Sequence, residues 1–197
     1  MSLPADARTV TAVRAAYDWL DDRVAEVLRD GARAVSCKVG CDACCHYPLR
    51  VSSWEMETVA DACARLPQLT RRRVHKQVAR ALRVLEPLRG SWKVFPERDE
   101  DRIAYCKAPV RCPLLINHRC VAYAARPLAC RTHFVVSSPD QCRGGDRPVI
   151  RPDLEAQRQE LADLLRDEHI EASGPEVLFI DGLARALHHA AAAHHCG

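Results

Sequence analysis

The sequence predicts a mainly α-helical protein, in which helices flank an irregular, cysteine-rich metal-binding core with little β structure. Three observations lead there. Apolar residues recur at helical spacing over residues 5–34 and 70–88. Eleven cysteines are present, and most fall in two segments, 37–45 and 106–142, outside those stretches. Pro109, Pro113, Pro127 and Pro139 punctuate the second segment and exclude a long helix there.

Each element follows in order. Over 5–34, Val10, Val13, Tyr17, Leu20, Val24 and Leu28 form one stripe, and Gly31 loosens or ends the helix. A cysteine loop runs from Cys37 to Cys45, and Tyr47 to Val51 suit a short strand. Ser52 with Glu55 three residues on reads as a capping box, opening a helix to about Leu66 that Pro67 ends. The helix over 70–88 turns Val74, Val78, Leu82, Leu85 and Leu88 inward, and Gly90 to Asp101 reads as a polar loop. Gly144 to Pro152 reads as a linker. Two helices follow, about 154–169 and 175–195, the second opened by Ser173, Pro175 and Glu176. The division is therefore an N-terminal helix (1–36), a cysteine-cluster domain (37–145, with two inserted helices about 52–88), and a C-terminal helical pair (146–197) packed on the same domain.

Length and charge bound the function. A chain of 197 residues can bury a core of its own, so disulfide staples are not needed for want of one. The formal net charge of +3 and the 5% aromatic content argue against a nucleic-acid partner and a base-stacking platform. Met1 to Leu20 carries charges and no apolar h-region, and no run approaches the roughly 18 apolar residues of a membrane helix. A cytoplasmic protein without membrane contact is expected. An odd number of cysteines in such a chain points to reduced thiolates that bind metal.

The first cluster is Cys37-x3-Cys41-x2-Cys44-Cys45. Short spacings let one loop wrap a cation while backbone N–H groups face the sulfurs. Buried apolar cysteines are the alternative, but they occur singly rather than four in nine residues. The second cluster is Cys112, Cys120, Cys130 and Cys142, spaced by 8, 10 and 12 residues. Together they supply eight candidate ligands, enough for two four-coordinate centres. Neighbouring side chains point apart, so Cys44 and Cys45 suit two centres, or two metal atoms of one cluster. The two regions should then interleave, and metal binding should contribute folding energy.

These residues carry a resemblance. Cys41-Asp-Ala-Cys-Cys45, Cys112-Pro-Leu-Leu115 and Cys120-Val-Ala-Tyr-Ala-Ala-Arg-Pro-Leu-Ala-Cys-Arg131, with Cys142 behind them, resemble the YkgJ-type CxxCxxCC family, described as a zinc- or iron-chelating domain. The likeness spans roughly 37–145. It departs in a first gap of three residues and in Asp42, where glycine is frequent. The resemblance implies that Cys37, Cys41, Cys44, Cys45, Cys112, Cys120, Cys130 and Cys142 are ligands. Arg126 and Arg131 belong to the same pattern, and their guanidinium groups are expected to donate to sulfur and offset the charge of a thiolate centre.

Other features are read more plainly. Cys63 suits a buried helix position, while Cys106, His46 and His133 could each replace a missing thiolate. Tyr123 reads as a packing residue. Arg71-Arg72-Arg73 reads as a solvated helix face. His188, His189, His194, His195 and Cys196 read as a helix end outside the main centres. Only Cys41-x2-Cys44 forms a zinc-knuckle pair, and divergent thiolates suit a multinuclear cluster, so iron–sulfur is slightly favoured over zinc. The expected function is a metal-binding or redox module with metal ions and a protein as partners. One alternative is an iron–sulfur-dependent protein-modifying enzyme resembling flagellin lysine N-methylase, although no Gly-rich strand–loop–helix signature accompanies it. The other is a thiol–disulfide redox protein using Cys41-x2-Cys44, although no βαβ context surrounds it.

Overall fold

A computed structural model describes residues 7–30, 34–38, 40–90, 92–170 and 175–193. In chain order the elements are α1 (Ala7–Arg29), β1 (Arg50–Val51), α2 (Ser53–Ala64), α3 (Gln68–Leu85), α4 (Asp99–Lys107), β2 (Leu115–Ile116), β3 (Arg119–Cys120), α5 (Leu128–Thr132), α6 (Asp140–Gly144), α7 (Leu154–Asp167), β4 (Val177–Leu178) and α8 (Phe179–Ala193). Helices take up 61% of the structure and strands 6%, so the fold is mainly α. No helix among the described residues is long and apolar enough to cross a membrane.

The long helices build two core clusters, and α2 joins them, since its Trp54 packs on the α1–α7 cluster. In the first, the α1 stripe of Val13, Tyr17, Leu20 and Val24 packs on Leu154, Leu161 and Leu165 of α7. In the second, Val59 and Cys63 of α2 and Val74 and Val78 of α3 pack on Phe179, Leu183 and Leu187 of α8. The predicted capping box is present at the start of α2: the Ser52 backbone N–H donates to Glu55 Oε2 at 2.8 Å. Leu114 and Ala122 belong to the same core, with Cys112 and Cys120 at its margin. The second cysteine region is thus seated directly on helix side chains.

Three segments differ from the sequence reading. The stretch read as a loop to Asp101 yields α4 from Asp99, with three acidic residues in its first turn, where the helix dipole favours them. Its apolar stripe is hidden in the sequence because Asp101 and Arg102 are buried beside Tyr105 and Cys106. Val177 and Leu178, expected inside the last helix, form β4 and pair antiparallel with β1. The 144–152 stretch is no free linker. Arg151 N–H donates to Phe134 O at 2.8 Å, and its side chain is 1% exposed. Gly145 has φ +80°, and a Cβ there would stand 2.8 Å from the Ile103 Cα, so only glycine lets the chain pass this close to α4.

Proline density does exclude a long helix from the second cysteine region. α5 and α6 have five residues each. β2 and β3 form a hairpin whose two-residue turn, Asn117-His118, has φ of 51° and 59°. Both values are those of a type I′ turn, whose twist matches its strands.

Candidate metal centre

The two cysteine regions interleave through their backbones. Cys112 N–H donates to Cys45 O at 2.7 Å, and Ser36 N–H donates to Val135 O at 2.8 Å. Val135 N–H in turn faces Cys37 Sγ at 3.4 Å. Cys44 and Cys45 lie in a single 3₁₀ turn, Ala43–His46. Cys120 ends β3, Cys130 lies on α5 and Cys142 on α6. Each distant cysteine therefore sits on its own short element, and packing must bring those elements together.

Asp42 performs part of that work. Its carboxylate is 5% exposed, accepts from His118 Nδ1 at 2.8 Å and accepts from Arg143 Nη2 at 2.6 Å. Burial alone would raise its pKa, but the hydrogen bonds from His118 and Arg143 outweigh it and hold the carboxyl below its ordinary value. One ionised side chain thus ties the first loop to the hairpin that carries Cys120 and to the helix that carries Cys142. The sequence marks Asp42 only as a departure from the family pattern. Its partners are 76 and 101 residues away and leave no local trace.

Glu55 plays a similar part for Cys130. One oxygen completes the α2 capping box, and the other accepts from Leu128 N–H at 2.8 Å, at the start of α5. Burial raises the pKa of this carboxyl.

The sulfurs influence one another strongly. The two neighbouring sulfurs do not point apart as expected: the Cys45 thiol donates to the Cys44 sulfur, which brings Cys44 down to about 7 and pushes Cys45 far up. Burial is the main cause of the upward shift at Cys37, Cys112, Cys120, Cys130 and Cys142. A Cys44 thiolate adds to that shift at each of these five. Cys112 and Cys142 are both pushed up to about 12. Cys142 senses Cys37 and Cys41, whereas Cys130 senses Cys112 and Cys120. Among the described residues, no three Cys, His, Asp or Glu side chains already converge as a metal shell. The thiols share one region, and an ion would have to draw them closer.

The arginines divide. The Arg126 charge works against the upward shift of Cys120 and Cys130 and helps lower Cys44. Its Nε is buried with no hydrogen-bond partner among the described residues. The guanidinium stacks 3.9 Å from the Tyr123 ring centroid, so the exposed Tyr123 packs on Arg126 and not in the core. Arg131 corrects the expectation of two sulfur-facing arginines. It is 1% exposed, and all three guanidinium nitrogens bond oxygen: Nε to Arg126 O at 2.9 Å, Nη1 to Asp21 Oδ2 at 2.5 Å, and Nη2 to Ala124 O. It also lies 4.0 Å over the Tyr17 ring. Arg131 fastens α5 to α1.

His133 Nε2 contacts Cys142 Sγ at 3.4 Å, and burial lowers its pKa, which favours the neutral, ligand-competent imidazole. His46 is likewise shifted down by burial. Cys41 is exposed. Cys63 is wholly buried in the α2–α3–α8 core, as expected. Cys106 packs with Trp92, Tyr105 and Val110. Of the C-terminal cluster, His188 is exposed, the side chain of His189 lies outside the described residues, and so do His194, His195 and Cys196.

No family model, no curated protein and no solved structure matches the chain. The donor chemistry of these residues, thiols from both regions, is of the kind that zinc and iron take, although no shell is closed among the described residues. Gathered, buried thiols that hinder one another's ionisation are relieved by a cation, and Arg126 offers an unpartnered buried donor beside them.

Proposed function

We propose that this chain is a metal-binding cysteine-cluster protein, a binding or redox module that holds iron–sulfur or zinc through thiolates of both cysteine regions. The supporting observation is the interleaving of the two cysteine regions, in which Cys112 N–H donates to Cys45 O at 2.7 Å and Cys44 adds to the upward shift of Cys37, Cys112, Cys120, Cys130 and Cys142. Cys45, Cys112, Cys120 and Cys130 would hold one part of the centre, and Cys37, Cys41 and Cys142 the other, with Cys44 between them. A bound iron–sulfur cluster would supply electron transfer, and bound zinc a structural cross-link. Thiols gathered but not closed suit a site that completes its folding on the ion. The likeness of these motifs to the YkgJ-type family accords with this reading. Ten free cysteines in the described chain suit a reducing compartment such as the cytoplasm.

The test is anaerobic purification followed by elemental analysis and visible absorption. Iron and sulfide with a thiolate-to-iron band are expected. Stoichiometric zinc without sulfide would reject the iron preference and keep the metal module. Absence of any bound metal would reject both. The hydrogen-bonded pair Cys44–Cys45 favours a second reading, a thiol–disulfide redox protein. Metal-free protein with reversible loss of two thiols on mild oxidation would establish that reading instead.

A further inference from the structure

The net charge of +3 is an average, and the charge is not evenly spread. α3 contains Arg71, Arg72, Arg73, Lys76, Arg80 and Arg83 and no Asp or Glu. Val74, Val78, Ala81 and Leu85 face the core, and Arg72, Arg73, Lys76, Arg80 and Arg83 are exposed on the opposite side. At 1.5 Å per residue, the line from Arg72 to Arg83 runs about 16 Å, with a cation roughly every 6 Å. None of these five side chains takes part in an ion pair among the described residues. α7 shows what an ordinary solvated face looks like in this molecule: Arg158 pairs with Glu155 at 3.4 Å and Arg166 with Asp163 at 2.7 Å. On α3 the corresponding neighbours at i+3 and i+4 carry like charges, which destabilise a helix.

We propose that the outer face of α3 binds the sugar–phosphate backbone of a nucleic-acid duplex without reading its sequence. Four of the five cations are arginine, whose planar fork matches phosphate oxygens. A duplex presents its negative charges in continuous rows, which suits a straight line of cations. α3 has no Phe, Tyr or Trp on which to stack single-stranded bases. It also lacks the apolar anchor of a protein interface, since Leu69 in the first turn is its one exposed large hydrophobic residue. Nucleic-acid interfaces are more polar and far more positive than protein interfaces, and α3 has that character.

The test is fluorescence anisotropy of the full-length protein with labelled mixed-sequence 20-bp duplexes, one of DNA and one of RNA, from 50 to 200 mM salt. Micromolar binding to at least one duplex is expected, with log K falling against log salt at a slope of about −4 for four to five phosphate contacts. The triple variant R72Q/K76Q/R80Q keeps good helix formers on an exposed face and should fold, which circular dichroism checks. It should reduce the slope by about 3 and weaken binding at least tenfold at 100 mM salt, whereas R158Q on α7 should change neither. The arm that binds more tightly identifies DNA or RNA as the source. No binding to either duplex at 50 mM salt, or full binding by the triple variant, overturns the proposal. So does tighter binding of a poly-glutamate peptide or phosphatidylserine vesicles at the same ionic strength, which would assign the face to an acidic protein or a membrane surface.

Discussion

The two cysteine regions reach the same place by different means. Between Cys37 and Cys45 four thiols are gathered by chain connectivity, with one 3₁₀ turn holding the last two. Between Cys112 and Cys142 the thiols are held by tertiary contacts: Cys112 lies in irregular chain tied by its N–H to Cys45 O, and the other three each have an element and a fastening. Cys120 is held by a hairpin that His118 pins to Asp42, Cys130 by α5, which Glu55 and Arg131 anchor, and Cys142 by α6 beside Arg143. The first region is local chemistry and the second is tertiary structure. Substitutions away from the sulfurs should therefore damage the second region far more than the first.

The largest effect belongs to the residue the two regions share. Cys44→Ser should bring bound metal below roughly half the wild-type content and lower the melting temperature, because metal binding and folding are coupled. Cys130→Ser should lose less, since Cys37, Cys41 and Cys142 remain. Metal per chain and thermal melting, measured on both variants prepared anaerobically, separate these cases. Equal metal content in Cys44→Ser and wild type would remove Cys44 from its central role.

Arg131→Ala comes next and probes the tertiary fastening alone. The substitution removes a buried side chain with three hydrogen bonds and a ring contact, at a cost of about 2–4 kcal/mol. Asp21 is half-exposed and regains water, which keeps the loss from being larger. Urea unfolding of metal-free protein should show the full destabilisation. If stability falls only in the metal-loaded protein, Arg131 acts on the centre and its structural assignment fails.

Arg126→Ala should do the reverse. Its guanidinium stacks on the exposed Tyr123 ring and engages Asp21 only at 3.6 Å, so the structural loss should be smaller than at Arg131. Its charge bears on Cys44, Cys120 and Cys130, so metal retention against a chelator should weaken about 10- to 100-fold. Competition with a coloured chelator measures this. Unchanged retention would leave the neighbouring sulfurs indifferent to its charge.

Much of the scaffold was legible because its signals are local. Spacing alone marks the α1 stripe from Val10 to Val24, the Ser52–Glu55 capping box and Val74, Val78 and Leu85 of α3, and the structure buries those residues, while Leu82 and Leu88 are half-buried. α4 was not legible, since a short helix that buries Asp101 and Arg102 shows no apolar period. β4 was not legible either, because its partner β1 lies more than a hundred residues away. At the site, the cysteines were visible as a residue type that rarely clusters by accident. The separation of Arg126 from Arg131 was not visible. They are five residues apart around a proline, and Arg131 is turned away by Asp21 on α1 and by the carbonyls of Ala124 and Arg126, none of which its own position in the sequence reveals.

Cys106 provides the smallest effect and the sharpest boundary. By sequence it precedes Cys112 and could stand in for Cys37. The structure sets it on α4 against Trp92, Tyr105 and Val110, beneath Gly145. Burial pushes its thiol up to about 11, Arg102 pulls it down, and among the described residues no cysteine contributes to its shift. A thiol isolated from the others and kept protonated by an apolar setting behaves as a small hydrophobe. Cys106→Ala should therefore keep the full metal content and cost about 1 kcal/mol through the small cavity it leaves. Elemental analysis and urea unfolding of the one variant measure both quantities. Loss of stoichiometric metal would extend the second region to α4 and give the centre a ninth thiol.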